Sequence, residues 1–299
     1  MDSATPPRGL EGERLKEAVR RLADDVRARI DSTQQGVGTF ADHALMGVLS
    51  QLEQFDRETS WEQGVASLAA SVDGLRQGLQ RLQGLATRRA HGRFVPHESR
   101  ATDVGIHGAS DLSYFEYAMS QGMSDCLRWR GLPLFKSVYD FAIYPMLLHE
   151  LRPRTVVELG SGSGASALWL ADVMAADGIA ADVYSVDLRM PAVTREGVHF
   201  LQGDCNAIAT ALDAGLLSGL PHPWLVIEDA HVNVAGVLTH IDALTSEGDY
   251  VVVEDSAGKQ DELARFLRER PGRYLVDTHY TDFFGRNATC AQDSVLVRR

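Results

Sequence analysis

Residues 155–164 read TVVELGSGSG, and this stretch decides the fold class of the chain. Its first half is a short run rich in β-branched residues, which is typical of a buried strand. Its second half is a glycine-rich turn, and residues 165–174 after it have the pattern of a helix. Such a turn lets the backbone approach a ligand closely and aims the amides of the helix N-terminus at it. The stretch therefore predicts a ligand-binding α/β domain.

The rest of the C-terminal half repeats this alternation of short apolar runs and helical stretches. Six further runs lie at residues 183–186, 199–201, 224–227, 250–253, 274–278 and 294–297. Strands separated by helices imply right-handed crossovers and a mostly parallel, doubly wound sheet. Ligands of such sheets bind beyond the carboxyl ends of the strands. Here almost every one of those ends carries an Asp or a Glu.

The composition excludes several other classes of protein. The 299 residues include 41 acidic and 29 basic side chains, a net charge of -12, whereas general affinity for nucleic acid needs a surplus of Lys and Arg. No apolar run approaches the roughly 18 residues that span a bilayer, and the N-terminus lacks the apolar segment of a secretory signal. Three widely spaced cysteines match neither a disulfide framework nor a zinc site. We therefore expect a cytoplasmic protein that binds neither nucleic acid nor membrane.

The first 90 residues predict a helical region. Apolar residues recur every three or four positions in residues 15–30, 45–55 and 61–82, the last as a regular heptad pattern. Two interpretations stay open. Either the helices pack on one another within one chain, or they pair with a second copy and form a homodimer or higher homo-oligomer.

Three segments follow from these patterns. Residues 1–90 are the helical N-terminal region, which serves as an oligomerisation element or a lid. Residues 91–150 are a linker or flap and pocket-forming helices, with a turn at 129–133 and a helix at 137–149. Residues 151–299 are the sheet domain, whose length is usual for a single domain.

Three acidic residues indicate which ligand the glycine loop binds. Glu158 precedes the glycines where a dinucleotide would place its pyrophosphate, and a negative charge there suits a ligand with an ammonium group. Asp187 ends the second strand, where it can hold both ribose hydroxyls, and Asp204 follows the third, where it can bind an adenine amino group. This constellation resembles the class I S-adenosylmethionine-dependent methyltransferases. Capping acids around a structural glycine turn are the simpler alternative.

A second alternative is a nicotinamide enzyme. Gly160, Gly162 and Ala165 satisfy the G-x-G-x-x-A fingerprint of dinucleotide-binding domains, so an NAD(P)-dependent oxidoreductase stays open. No Lys-Ser or Lys-Thr pair follows the loop, which argues against a P-loop nucleotidase.

Four more carboxylates follow the next two strands. Glu228 and Asp229 follow the fourth strand, and Glu254 and Asp255 follow the fifth. Carboxylates at neighbouring strand ends repel one another unless a cation compensates them, and hard oxygen ligands suit Mg²⁺. Two separate helix caps would explain the same residues without a metal.

Several separate motifs occur together between residues 114 and 299. They are WRGLPLFK at 129–136, ELG at 158–160, GASAL at 164–168, GDC at 203–205, EDAH at 228–231, EGDY at 247–250, ED at 254–255 and GRNAT at 285–289. Together they resemble the cephalosporin hydroxylase/rhamnosyl O-methyltransferase family. The resemblance implies an α/β, Rossmann-like class I methyltransferase fold, a seven-stranded mostly parallel sheet with the last strand antiparallel. Residues 1–107 lie outside it.

The resemblance also implies the residues of the site. Contacts to S-adenosylmethionine are expected from Glu158, Gly160, Ser161, Gly162, Gly164, Ser166, Asp187, Leu188, Asp204, Cys205 and Glu228. A neighbouring Mg²⁺ takes its ligands from Glu228, Asp229, Glu254 and Asp255, with either Glu228 or Asp229 as the first. His231 is the expected catalytic base, or else it orients Glu228.

The predicted function is therefore an S-adenosylmethionine- and Mg²⁺-dependent O-methyltransferase of specialised metabolism, such as antibiotic biosynthesis. Its acceptor is a small molecule with vicinal oxygens, either a sugar or a catechol-like phenol, since one divalent cation can bind both oxygens. Besides the oxidoreductase, a non-catalytic S-adenosylmethionine-binding assembly partner built on the heptad region stays an alternative.

Overall fold

A computed structural model describes residues 8–33, 46–47, 49–50, 52–53, 92–102 and 105–299. The chain divides into two compact units, Met1–Ala90 and His91–Arg299. Residues 91–150, predicted as a linker with helices, thus belong to the same unit as the sheet. Within the described residues, no helix is long and apolar enough to cross a membrane.

The N-terminal unit contains helix α1, Arg8–Thr33. Val19 and Ala23 on α1 are buried together with Leu52. Leu22, which belongs to the predicted apolar stripe, is 46% exposed. The helix therefore packs through the face that carries Val19 and Ala23, one turn apart. The predicted heptad segment 61–82 lies outside the described residues.

All seven predicted strands are present in the C-terminal unit, and three more accompany them. The strands are β1 Phe94–Val95, β2 Leu127–Trp129, β3 Leu132–Leu134, β4 Thr155–Leu159, β5 Asp182–Asp187, β6 Val198–Gln202, β7 Trp224–Glu228, β8 Tyr250–Val253, β9 Tyr274–Asp277 and β10 Val295–Arg298. The large sheet has the order β6-β5-β4-β7-β8-β10-β9-β1. Strands β4 to β8 pair in parallel, and β10 runs antiparallel between β8 and β9. This confirms the predicted fold class.

Two small elements were not predicted. Strand β1 adds an antiparallel edge to the sheet beside β9. Strands β2 and β3 form a separate hairpin around the turn predicted at 129–133. Arg130 and Gly131 at its tip both have positive φ, as two-residue hairpin turns require. Pro133 lies inside β3, where it is tolerated because a two-stranded ribbon has free edges.

Helices cover both faces of the sheet and connect its strands. They are α2 Tyr114–Gln121, α3 Val138–Leu151, α4 Ala165–Ala176, α5 Ile208–Ala211, α6 Ala214–Ser218, α7 Val234–Asp242, α8 Gln260–Arg268 and α9 Thr278–Thr281. Ser113 and Glu116 form a capping box at the start of α2, and the Ser137 side chain caps α3. The predicted helix at 137–149 corresponds to α3.

The core consists of two apolar layers, one on each face of the sheet. Val156 and Leu225 contribute to one layer, and their chain neighbours Val157 and Val226 contribute to the other. Every residue of β4, β7 and β8 is buried. Strands covered on both faces are apolar throughout instead of alternating, which is why these runs stand out in the sequence.

A buried ion cluster attaches residues 92–102 to the sheet domain. The Arg100 guanidinium donates two hydrogen bonds to Asp282, at 2.9 and 2.8 Å, and one to Asp293 at 2.6 Å. Arg100 and both carboxylates are almost completely buried. Gly108 also donates its amide to Asp293 at 2.8 Å. The segment predicted as a linker or flap is thus held by charged hydrogen bonds to residues that lie 182 and 193 positions later in the chain.

Replacing Arg100 with Met should strongly destabilise the C-terminal unit. The substitution removes the ionic partner that the buried Asp282 and Asp293 carboxylates share, and breaking a buried ion pair in this way costs about 3–5 kcal/mol. Urea denaturation followed by tryptophan fluorescence measures the change. Arg128→Met is the control, because Arg128 forms an exposed ion pair with Asp125 and should leave the unfolding midpoint unchanged. An equal effect of both substitutions would contradict the role given to Arg100.

Candidate active site

The glycine loop lies where the strand order reverses, between β4 and its neighbours β5 and β7. Gly160 has φ +105°, and a Cβ there would lie 2.6 Å from the carbonyl oxygen of Asp229. Its amide donates to the Val186 carbonyl at 2.8 Å. The Gly162 amide donates to the Asp187 carboxylate at 2.9 Å. The loop is therefore fixed from both sides, and Gly160 is required because the β7 end passes so close.

A cavity of about 580 Å³ opens beside this loop at the carboxyl ends of the strands. Nine of the residues predicted for the site line it: Gly160, Gly162, Asp187, Leu188, Asp204, Cys205, Asp229, His231 and Asp255. This is the position that a doubly wound sheet provides for a ligand. Burial, together with the nearby Glu228 carboxylate, raises the pKa of the Cys205 thiol to about 11. Cys205 therefore serves the cavity as a neutral, apolar group.

Other predicted contact residues do not line the cavity. Glu158 is buried, and its carboxylate accepts a hydrogen bond from Ser185, its neighbour in the β4–β5 register. Burial raises the pKa of Glu158. Ser161 is also buried, with its hydroxyl 2.6 Å from that of Ser185. Gly164, Ser166 and Glu228 are likewise not among the lining residues. The geometry therefore gives Glu158 a place beneath the loop, whereas the sequence predicted contact with the ligand.

Asp229, His231 and Asp255 form a cluster of metal-ligand type that faces the cavity. One potential ligand atom from each lies within 4.8 Å of the others. The His231 Nε2 atom lies 3.2 Å from an Asp229 oxygen and 3.6 Å from an Asp255 oxygen. His231 and Asp255 also have positive φ, at 58° and 46°. Strained backbone of this kind is concentrated at functional sites.

The two glutamates predicted as metal ligands lie behind these aspartates and pair with buried lysines. The Lys259 ammonium donates to Glu228 at 2.9 Å. Glu254 accepts one hydrogen bond from Lys136 and one from the Tyr144 hydroxyl. The exposed fractions are 24% for the Asp229 side chain and 47% for Asp255, against 0% for Glu228 and 3% for Glu254. Between Glu228 and Asp229, the geometry favours Asp229 as the first ligand.

This donor set fits a hard divalent cation. Two aspartate carboxylates face the cavity, and Lys136 joins Asp229 to Glu254 just beneath them, at 3.6 Å from an Asp229 oxygen. Burial acts to raise the pKa of Asp229, but Lys136 and the His231 hydrogen bond outweigh it and lower that pKa to about 2. Asp229 is therefore a carboxylate at neutral pH, the form that Mg²⁺ binds.

A second cavity of about 560 Å³ adjoins the first. Its wall includes Ser110, Leu112, Ser113, Tyr114, Tyr117, Ala118, Cys290 and Gln292. Gln121 and Asp255 line both cavities. The Tyr117 hydroxyl lies 3.5 Å from an Asp255 oxygen. The metal-type cluster therefore stands at the boundary between two ligand-sized spaces.

The hairpin β2–β3 brings residues to the first cavity that were not predicted from the sequence. Asp172 on α4 accepts hydrogen bonds from the Trp129 indole at 2.8 Å and from Arg130 at 2.7 Å. The Ser163 hydroxyl of the glycine loop donates to the Pro133 carbonyl at 2.7 Å. Phe135, the next residue but one, is 69% exposed and lines the first cavity. Its position in the motif WRGLPLFK was the available signal.

Comparison with known proteins gives a consistent result. A family model described as Rhamnosyl O-methyltransferase/CmcI matches residues 121–272. The rhamnosyl O-methyltransferase of Mycobacterium leprae (strain TN) is 32% identical over 191 residues, which cover 57% of this chain and 82% of that protein. The rhamnosyl O-methyltransferase of Mycobacterium tuberculosis (strain ATCC 25618 / H37Rv) is 30% identical over 192 residues, which cover 57% and 77%.

Solved structures agree with these sequence matches. An apo structure of CmcI is 28% identical with a TM-score of 0.52, and the match covers 63% of this chain and 84% of that one. A structure of CmcI with Mg and SAM is 30% identical with a TM-score of 0.51, and the match covers 69% and 91%. The family match includes the glycine loop and both pairs of acidic strand ends. The chain belongs to the rhamnosyl O-methyltransferase/CmcI family, and it is an O-methyltransferase.

Proposed function

We propose that this enzyme transfers the methyl group of S-adenosylmethionine to a sugar hydroxyl of a specialised metabolite, with Mg²⁺ beside the donor. The observation that carries the proposal is the shared wall of the two cavities at Asp255. A donor in the first cavity and an acceptor in the second meet at the metal-type cluster. The CmcI structure with Mg and SAM and the relatives named rhamnosyl O-methyltransferases support the choice of donor, metal and acceptor.

The first cavity suits the donor. Asp187 and Asp204 line it at the ends of β5 and β6, where their carboxylates accept hydrogen bonds from ribose hydroxyls and an adenine amino group. The glycine loop and the exposed ring of Phe135 line another part of the same cavity. Asp229 and Asp255 place negative charge at the far end, which favours a sulfonium cation.

The metal and the residues around it have separate tasks. When bound, Mg²⁺ supplies a Lewis acid that lowers the pKa of an acceptor hydroxyl and orients it. Asp229 and Asp255 hold the ion, with Glu254 as the third carboxylate of the group. His231 takes the acceptor proton at Nδ1, the ring nitrogen other than the one that faces the two aspartates, since an imidazole titrates close to neutral pH. Its hydrogen bond to Asp229 orients the ring and raises the pKa of His231.

The second cavity suits a polyhydroxylated acceptor. Its wall combines the hydroxyl and amide groups of Ser110, Ser113, Gln121 and Gln292 with the rings of Tyr114 and Tyr117. Hydroxyls and amides pair with sugar hydroxyls, while an aromatic ring covers the apolar face of a pyranose. Asp255 at its inner end brings the acceptor oxygen to the metal.

Calorimetric titration separates this proposal from its competitors. The enzyme should bind S-adenosylhomocysteine, with tighter binding when Mg²⁺ is present, and should not bind NAD. An oxidoreductase would bind NAD without needing a metal. A non-catalytic assembly partner would bind S-adenosylhomocysteine equally well with or without Mg²⁺, and Glu254→Ala would change nothing. No binding of S-adenosylhomocysteine would contradict the proposed donor.

The acceptor class is testable with simple probes. Incubation with S-adenosylmethionine, Mg²⁺ and p-nitrophenyl α-L-rhamnopyranoside should add one methyl group to the sugar, because its vicinal hydroxyls fit the second cavity. Mass spectrometry detects the product, and a reaction with EDTA in place of Mg²⁺ is the control. Methylation of 4-nitrocatechol but not of the glycoside would contradict the proposed sugar acceptor and indicate a phenol instead.

His231→Ala tests the assignment of the base. The variant should keep its affinities for S-adenosylhomocysteine and Mg²⁺ but lose about 100-fold or more in kcat, the usual contribution of a general base. His199→Ala is the matched control, because His199 is also a half-exposed histidine near an aspartate, Asp182, yet lies away from both cavities. Full activity in His231→Ala would exclude His231 as the base, and a loss of Mg²⁺ affinity alone would make it a metal ligand.

A further inference from the structure

Lys136 places a buried positive charge directly behind the metal-type cluster. Its side chain is only 3% exposed. Its ammonium group hydrogen bonds to Glu254 and lies 3.6 Å from an Asp229 oxygen. The Tyr144 ring lies 5.8 Å from the ammonium nitrogen, and its hydroxyl holds the other Glu254 oxygen. One cation thus joins two carboxylates that come from different strand ends.

This ammonium group stays charged. Glu254 accepts its hydrogen bond, and an Asp229 oxygen 3.6 Å away adds a second acidic neighbour, so both groups nearest to the amine favour its protonated form. A protonated amine cannot accept a proton from a substrate hydroxyl. Lys136 is therefore unsuited to act as a general base, and its charge is a permanent part of the site.

The position of Lys136 is set by the hairpin and the glycine loop. Asp172 fixes the hairpin through Trp129 and Arg130, and Ser163 holds the carbonyl of Pro133, three residues before Lys136. Ser137, the next residue, caps α3. Because both sides of Lys136 are anchored, the side chain has little freedom to leave the carboxylates.

We propose that Lys136 is a built-in counter-cation of the metal site, which keeps Asp229 and Glu254 together in the metal-free protein and weakens the binding of Mg²⁺. This inference rests on the proposed metal site. Without a cation, these two carboxylates and Asp255 would repel one another in a largely buried place. With Lys136 present, an incoming divalent ion meets a fixed positive charge and shares Glu254 with it. The site is therefore assembled before the metal arrives and releases the metal readily.

Metal-free thermal unfolding tests the counter-charge. In EDTA, Lys136→Met should lower the melting temperature, and Lys136→Met/Glu254→Gln should recover at least half of that loss, because neutralising Glu254 removes the repulsion. A lysine that merely fills space would show no recovery. Lys259→Met is the matched control, since Lys259 is the other buried lysine of this edge and pairs with Glu228. Glu254→Gln should not rescue Lys259→Met.

Titration with MgCl₂ alone, without donor, tests the effect on affinity. Lys136→Met should bind Mg²⁺ about tenfold more tightly or better than the wild type, because a unit charge close to the ion is gone. Lys136→Arg, which keeps the charge, should stay near the wild-type affinity. Unchanged or weaker binding by Lys136→Met would overturn the proposal, as would a double variant no more stable than Lys136→Met. Failure of the wild type to bind Mg²⁺ would instead refute the proposed metal site, and the EDTA melts would still decide the role of Lys136.

Discussion

The structure depends on the compensation of negative charge at one edge of the sheet. Parallel strands place their carboxyl ends together, so the acids at the ends of β5, β6, β7 and β8 gather in one place whatever their separation in the chain. Carboxylates brought together in a partly dry site repel one another. Two buried lysines lie beneath the site. In the proposed function the donor and the metal, both cations, bind in front of it.

The two residues of each acidic pair, Glu228–Asp229 and Glu254–Asp255, have different surroundings. In each pair the glutamate is buried against a lysine, and the aspartate after it faces the cavity. Successive residues at a strand end point to different sides of the sheet. The glutamate of each pair is therefore buried, whereas the aspartate reaches the cavity. The lysines come from distant elements, 118 residues from Glu254 and 31 residues from Glu228.

The hairpin β2–β3 connects the first cavity with the metal-type cluster. Its strands are short, but Asp172 and Ser163 attach it to α4 and to the glycine loop. The segment that leaves it presents Phe135 to the donor cavity and Lys136 to the carboxylates. The hairpin and the two residues after it therefore link the glycine loop to Asp229 and Glu254 through direct contacts.

The seven strands, their mostly parallel arrangement and the ligand-binding edge were predicted from the sequence by itself, because strands buried on both faces are apolar throughout and parallel strands place their carboxyl ends at one edge. Asp187, Asp204, Asp229, His231 and Asp255 were also identifiable, since each follows a predicted strand closely. Three features could not be predicted from the sequence. They are the burial of Glu158, the pairing of Glu228 and Glu254 with lysines, and the attachment of residues 92–102 through Arg100. Periodicity tells which residues share a face, but the partners of a buried charge are chosen by tertiary packing, which brings together residues far apart in the chain.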